Sequence, residues 1–187
     1  MKRRILLLGV VIAIICVSLL GFELSKNKKS KNNIAFYEAL SEKIYYLPSL
    51  EEVGDYKTAH CRGYRNGEET ICTLIVEYTP EEYLSEKKQL MKTYSFETSP
   101  VYDQLADSHG EVAKKEPVFC IDSFVFHLLS LKEYNLYYPK WLAFIAFSDD
   151  ECTIAFVYYS NQARDVINSP FSEFVLKECG WETLLRK

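Results

Sequence analysis

Three histidines, and five cysteines beyond residue 22, are the side chains of this chain best suited to catalysis or metal binding. Their spacing restricts that chemistry. His60 adjoins Cys61, but neighbouring strand residues point to opposite faces, so the two do not make a nucleophile–base pair. Cys120, Asp122 and His127 fall in an aromatic, β-branched stretch and read as strand packing. Asp103, Asp107, His109 and Glu111 offer oxygen and nitrogen ligands, yet their spacing matches neither an EF-hand loop nor a zinc pattern. No C-x-x-C, H-E-x-x-H, G-x-S-x-G or glycine-rich phosphate loop occurs. The sequence therefore assigns no catalytic residue, no metal and no cofactor, and the chain is read as a non-enzyme. The enzymatic alternative is a metal-dependent hydrolase built on residues 103–111, which requires Asp107→Ala or His109→Ala to abolish activity.

Cys61 and Cys72 offer a different chemistry, oxidation to a disulfide. Asn66-Gly67 is the favoured pair for a type I′ turn, where both residues take positive φ. It centres a hairpin over 56–65 and 68–78 and sets Cys61 opposite Cys72 on one face. Counting outward from the turn places them in a hydrogen-bonded pair, where the Cα atoms stand wider apart. A disulfide and two small apolar core residues both suit that position. The odd number of cysteines leaves at least one thiol in an exported domain.

The two faces of this hairpin differ. Ala59, Cys61, Cys72, Leu74 and Val76 look like core. The other face carries Tyr56, Thr58, His60, Arg62, Tyr64, Ile71, Thr73, Ile75 and Glu77. Such a mixture of aromatic, polar and charged groups suits a protein partner, with tyrosines as anchors and charges setting register. A solvated sheet face with cross-strand pairs is the simpler reading. Carboxylates also project from two turns, Glu68 and Glu69 from the first and Asp149, Asp150 and Glu151 from the second. They can meet a cationic patch, or only discourage edge pairing. The candidate partner-binding set is thus Tyr56, His60, Arg62, Tyr64, Glu68, Glu69, Thr73, Glu77, Asp149, Asp150 and Glu151.

These groups need a scaffold. Ile34, Tyr37, Leu40, Ile44 and Leu47 recur at helical spacing, and Pro48 ends that pattern, so 34–47 reads as a helix and the stretch with Gly54 and Asp55 as a loop. Thr79-Pro80-Glu81-Glu82 starts a second helix with a cap, a proline at the first helical position and a capping-box glutamate, running to about Tyr94. Residues 118–131 read as one long strand after Pro117. Trp141–Ser148 and 152–160 form a second hairpin around Asp149-Asp150. Ser169-Pro170 opens a third helix, with Gly180 past its end and Trp181 folding back on the last turn. The order predicts an α+β domain with an antiparallel sheet of about five strands and helices mainly on one side.

The location rests on residues 5–22, an apolar run without a charge and close to the roughly 20 residues that span a bilayer as a helix. Lys2, Arg3 and Arg4 precede it, and the exit around Gly21 makes a poor cleavage site, so a retained signal anchor is expected rather than a removed signal peptide. The layout is then a cytoplasmic tail (1–4), a transmembrane helix (5–22), a lysine-rich polar tether (23–32) and an extracytoplasmic domain (33–187) in the cell membrane. The chain has 22 Lys+Arg and 26 Asp+Glu, and its first 32 residues hold seven cations and one anion, which leaves the domain with 15 against 25. That acidity argues against nucleic acid and suits a basic partner or plain solubility.

The cationic start, the run 5–22, the lysine tether and the helix-then-hairpin opening through Asn66-Gly67 resemble the membrane-anchored immunity proteins of Gram-positive bacteria. These act against toxins of the type VII secretion pathway, and the resemblance is to the group that neutralises lipid II phosphatase toxins. The resemblance implies a protein toxin as partner, met outside the cell, with a concave sheet surface occluding the toxin's active site. An envelope component that binds a peptide, glycan or signalling partner without catalysis is the alternative.

Overall fold

The computed structural model describes residues 34–53, 58–63, 69–102, 114–130, 141–161 and 169–185. The run 5–22, the tether and residues 103–111 lie outside this set. Helices α1 (Ile34–Ser41) and α2 (Leu50–Val53) precede strands β1 (Thr58–Gly63) and β2 (Glu69–Glu77). Helix α3 (Pro80–Thr93) leads to the short strands β3 (Val101–Tyr102) and β4 (Lys114–Lys115). Strands β5 (Val118–Ile121), β6 (Phe124–Leu128), β7 (Trp141–Ser148) and β8 (Thr153–Asn161) follow, then α4 (Phe171–Lys177) and α5 (Trp181–Leu185). Six strands pair antiparallel in the order β1-β2-β8-β7-β6-β5, and β3 pairs with β4 alone. The α+β class and the antiparallel sheet follow the sequence reading.

Three expectations need correction. Helix α1 stops at Ser41, short of Leu47, and the supposed loop before Gly54 contains α2. Ser49 and Glu52 form a second capping box there: Ser49 N–H donates to Glu52 Oε2 at 3.0 Å, and Glu52 N–H donates to Ser49 Oγ at 3.1 Å. Residues 118–131 are not one strand. The ladder pairs Ile121 with Phe124, so a two-residue turn at Asp122-Ser123 splits the stretch into β5 and β6. Asp122 takes φ 50°, which a short polar side chain tolerates better than an apolar one.

The third correction concerns the layers. Helices cover both faces of the sheet. On one face Tyr37 of α1 and Tyr83 and Leu90 of α3 pack on Cys61, Cys72, Leu74, Val76, Ile145, Phe147, Ile154 and Phe156. On the other, Phe171, Phe174, Val175 and Trp181 pack on Ile71, Ile75, Phe124, Phe126, Leu142, Phe144, Val157 and Tyr159. The reason lies in the strands themselves. Residues 70–76 and 142–147 are nearly continuous in apolar character, as in strands buried on both sides rather than one. Trp181 shares a buried cluster with Phe174 and Val175 of α4. After Gly180 (φ 75°) it opens α5 and stands edge-on to Phe124 and Phe126, at 5.2 and 5.0 Å between ring centroids.

Helix α3 forms as the sequence predicts. Glu82 N–H donates to Thr79 Oγ1 at 3.4 Å, and Thr79 N–H donates to Glu82 Oε2 at 3.0 Å. The second hairpin joins Ser148 to Thr153 through Asp149–Cys152, with Cys152 at φ 50° closing the turn. Among the described residues no helix is long and apolar enough to cross a membrane.

Candidate functional site

Residues of two capping boxes meet at the Glu77 end of β2. Ser49 and Glu52 start α2, and Thr79 and Glu82 start α3. Capping places a carboxylate in each first turn, where it meets the positive end of the helix dipole. Between them lies a groove of about 690 Å³, lined by Glu52, Val53, Glu77, Tyr78, Thr79, Glu82, Ser85 and Glu86. Its four glutamates come from three elements, so the local rules that start two helices also build an acidic cleft.

The electrostatics are consistent with that lining. The Glu82 carboxyl is held below the usual carboxylate range by hydrogen bonds from the Thr79 side chain and backbone. Burial first, then the charges of Glu86 and Glu82, push the Tyr78 hydroxyl up to about 12. Burial raises Tyr94 too, with smaller contributions from Tyr45, Glu52 and Glu86. Both phenols therefore stay protonated beside carboxylates. Carboxylates backed by aromatic rings suit the ammonium or guanidinium group of a basic side chain. Among the described residues no group of three or more His, Cys, Asp or Glu is placed to hold a metal ion.

The predicted binding residues separate into two ends of the sheet. Glu77 lines the groove. It pairs in register with Thr153, and Tyr78 N–H donates to Cys152 O at 3.0 Å, so the turn carrying Asp149, Asp150 and Glu151 lies at the same end. Glu69 pairs with Asn161 at the opposite end of β2. Within the acidic turn only Asp150 is both exposed and without a side-chain partner. Asp149 accepts hydrogen bonds from Lys87 Nζ (2.5 Å) and from Tyr83 Oη, and Glu151 accepts one from Ser123 Oγ at 2.6 Å. Those two carboxylates tie the turn to α3 and to the β5–β6 turn.

Thr73 is a correction. It is 0 % exposed, between buried Ile71 and Ile75, on the face that α4 and α5 cover. The supposed binding face is core along β2, because the second helical layer closes it. His60 and Arg62 belong to β1 by backbone, with their side chains outside the described set, and Tyr56, Tyr64 and Glu68 lie outside it altogether.

The cysteine pair is a disulfide. Cys61 and Cys72 are register partners and are bonded, with Cα atoms 4.2 Å apart. That spacing is the short one of a non-hydrogen-bonded pair, about 4.5 Å, and not the wider one that counting from the turn predicts. Cys120, Cys152 and Cys179 are not in disulfides. His127 packs edge-on between Phe96 and Phe147, at 5.5 and 5.7 Å, in keeping with a packing role.

Sequence reasoning passed over Glu52, Tyr78, Glu82 and Glu86 as site residues. The signal was present in Ser49-Leu50-Glu51-Glu52, which has the same capping-box pattern as Thr79–Glu82. Comparison with known proteins finds no matching family, no matching curated protein and no matching solved structure.

Proposed function

We propose that this chain is a non-catalytic binding protein held at the outer face of the cytoplasmic membrane, whose acidic groove receives a basic surface of a protein partner. The observation that carries this reading is the convergence of Glu52, Glu77, Glu82 and Glu86 on one groove beside Tyr78. The resemblance seen in the sequence makes the partner an antibacterial toxin, such as a type VII-secreted lipid II phosphatase, and the chain its immunity protein. Occlusion needs no chemistry from the binder. It needs a rigid, charged surface held where the toxin acts, and the apolar run with its tether supplies the location.

The test is genetic. Cells lacking the gene are challenged with the toxins of the same strain. Sensitivity to one toxin, rescued by the anchored chain and not by a groove charge-reversal variant, supports this reading. Survival against every toxin removes immunity and leaves the envelope-binding alternative.

A further inference from the structure

Helix α3 has two charged sides of opposite sign. Tyr83 and Leu90 are buried against the sheet, and Glu82, Ser85 and Glu86 line the groove. A third side is exposed. There Leu84 is 66 % exposed and Met91 45 % exposed, one heptad apart, with exposed Lys88 between them and Lys92 following. Tyr45, 72 % exposed, stands by the C-terminal end of the helix: its carbonyl accepts the Tyr94 hydroxyl at 3.3 Å, and the two rings lie 6.3 Å apart. Exposed aliphatic groups interleaved with lysines and edged by a tyrosine form the pattern of a surface that rests on lipid head groups.

We propose that this outer side of α3, with Leu84, Lys88, Met91, Lys92 and the neighbouring Tyr45, docks on an anionic phospholipid bilayer. The proposal rests on residues 5–22 being the membrane anchor. Eleven residues, 23–33, then separate the bilayer from α1, a reach of at most about 40 Å, so the domain stays within contact of the membrane. Charge chooses the face. The domain as a whole is acidic and is repelled by anionic lipid, whereas Lys88 and Lys92 are attracted to it. Glu81 lies on the same side in the first turn, N-terminal to the contact that runs from Leu84 to Lys92. At 100° per residue, Glu82 and Glu86 project roughly 160° around the axis from Leu84. A domain lying on this face presents its acidic groove away from the membrane, towards an arriving partner.

The test uses the full chain reconstituted into vesicles with brominated acyl chains, which quench tryptophan on contact. Leu84→Trp places an indole on the proposed face, and the wild-type chain gives the background from Trp141 and Trp181. In vesicles of phosphatidylcholine with phosphatidylglycerol, the introduced indole is expected to lose emission. Lys88→Glu with Lys92→Glu in the same chain is expected to restore it, as is pure phosphatidylcholine. Unquenched emission in the anionic vesicles overturns the proposal, and so does equal quenching in both lipids. Flotation separates the two readings. A chain that floats with the vesicles but keeps its emission has an anchor and no docking face. A chain that does not float overturns the anchor and the docking face together.

Discussion

Lys87 on α3 and Asp149 in the β7–β8 turn meet across 62 positions of sequence, with Nζ 2.5 Å from Oδ1. The Tyr83 hydroxyl donates to the same carboxylate oxygen, and Lys87 Nζ stands 5.4 Å from the centre of the Phe147 ring. An acidic turn that reads as a partner-facing tip is therefore fastened to the helix that lines the groove. These hydrogen bonds, from Lys87 first and Tyr83 second, hold the Asp149 carboxyl below the usual carboxylate range.

Asp149→Ala is expected to lower stability by about 1 kcal/mol, because Tyr83 loses its acceptor while solvent screens the exposed ion pair. Asp149→Asn keeps an acceptor and should lose less. A carboxyl with a depressed folded pKa stabilises fully above its unfolded value near 3.9, and that contribution disappears as pH falls through the folded value. Urea unfolding at neutral pH and at about pH 3 should show the gap between wild type and Asp149→Ala closing in acid.

The disulfide closes a loop with a sequence separation of 11 between Cys61 and Cys72. Chain entropy gives such a cross-link about 3 kcal/mol. Cys61→Ala with Cys72→Ala should move the urea midpoint down by a corresponding amount. Both residues are buried in the well-packed face, so mild reductant should act on the native protein slowly. Thiol labelling with and without denaturant checks that.

The parts legible in the sequence were those set by local rules. Thr79, Pro80 and Glu82 mark the start of α3, and counting outward from Asn66-Gly67, which itself lies outside the described residues, predicts the register that pairs Cys61 with Cys72. Asp122-Ser123 was missed because a tight turn inside an apolar stretch gives no glycine or proline signal. The second helical layer was missed for a tertiary reason. Ile71, Thr73 and Ile75 look half-polar beside His60 and Arg62 of β1, but in the sheet β2 lies between β1 and β8, and Val157 of β8 is the neighbour of Thr73. The groove was missed because its carboxylates come from capping motifs, which announce helix starts rather than binding.

Thr73 separates the buried face from a binding face. Its Oγ1 is buried and has no hydrogen-bond partner. Thr73→Val keeps the shape and removes the unsatisfied hydroxyl, so stability should rise by about 0.5–1 kcal/mol. Partner binding should be unchanged. Lost binding with preserved folding would return Thr73 to an accessible surface.

His127 makes stability fall with acid as Asp149 does, but nearer to neutrality. Burial first and Lys87 second hold its pKa below the ordinary histidine value. The unfolded chain therefore binds a proton that the folded chain resists, and stability falls as pH drops through about 6.5. His127→Phe suits the aromatic stack between Phe96 and Phe147 and cannot titrate. Between pH values of about 7.5 and 5, the wild type should lose more stability than the variant. Parallel losses would assign the acid sensitivity to other groups.

The groove predicts where charge reversal matters. Glu77 and Glu86 line it, whereas Glu69 lies at the far end of the same strand. Glu77→Lys with Glu86→Lys places two cations where a basic partner must sit, and like charges at an interface cost several kcal/mol. Affinity should fall about tenfold to a hundredfold or more, with slower association and a weaker dependence on salt. In challenged cells that variant should fail to protect, and so should Glu77→Lys alone, while Glu69→Lys, a single reversal of the same size at the opposite end, should protect like wild type. Because both single variants raise net charge at surface positions, equal loss in the two would trace the effect to overall charge and move the binding site away from the groove.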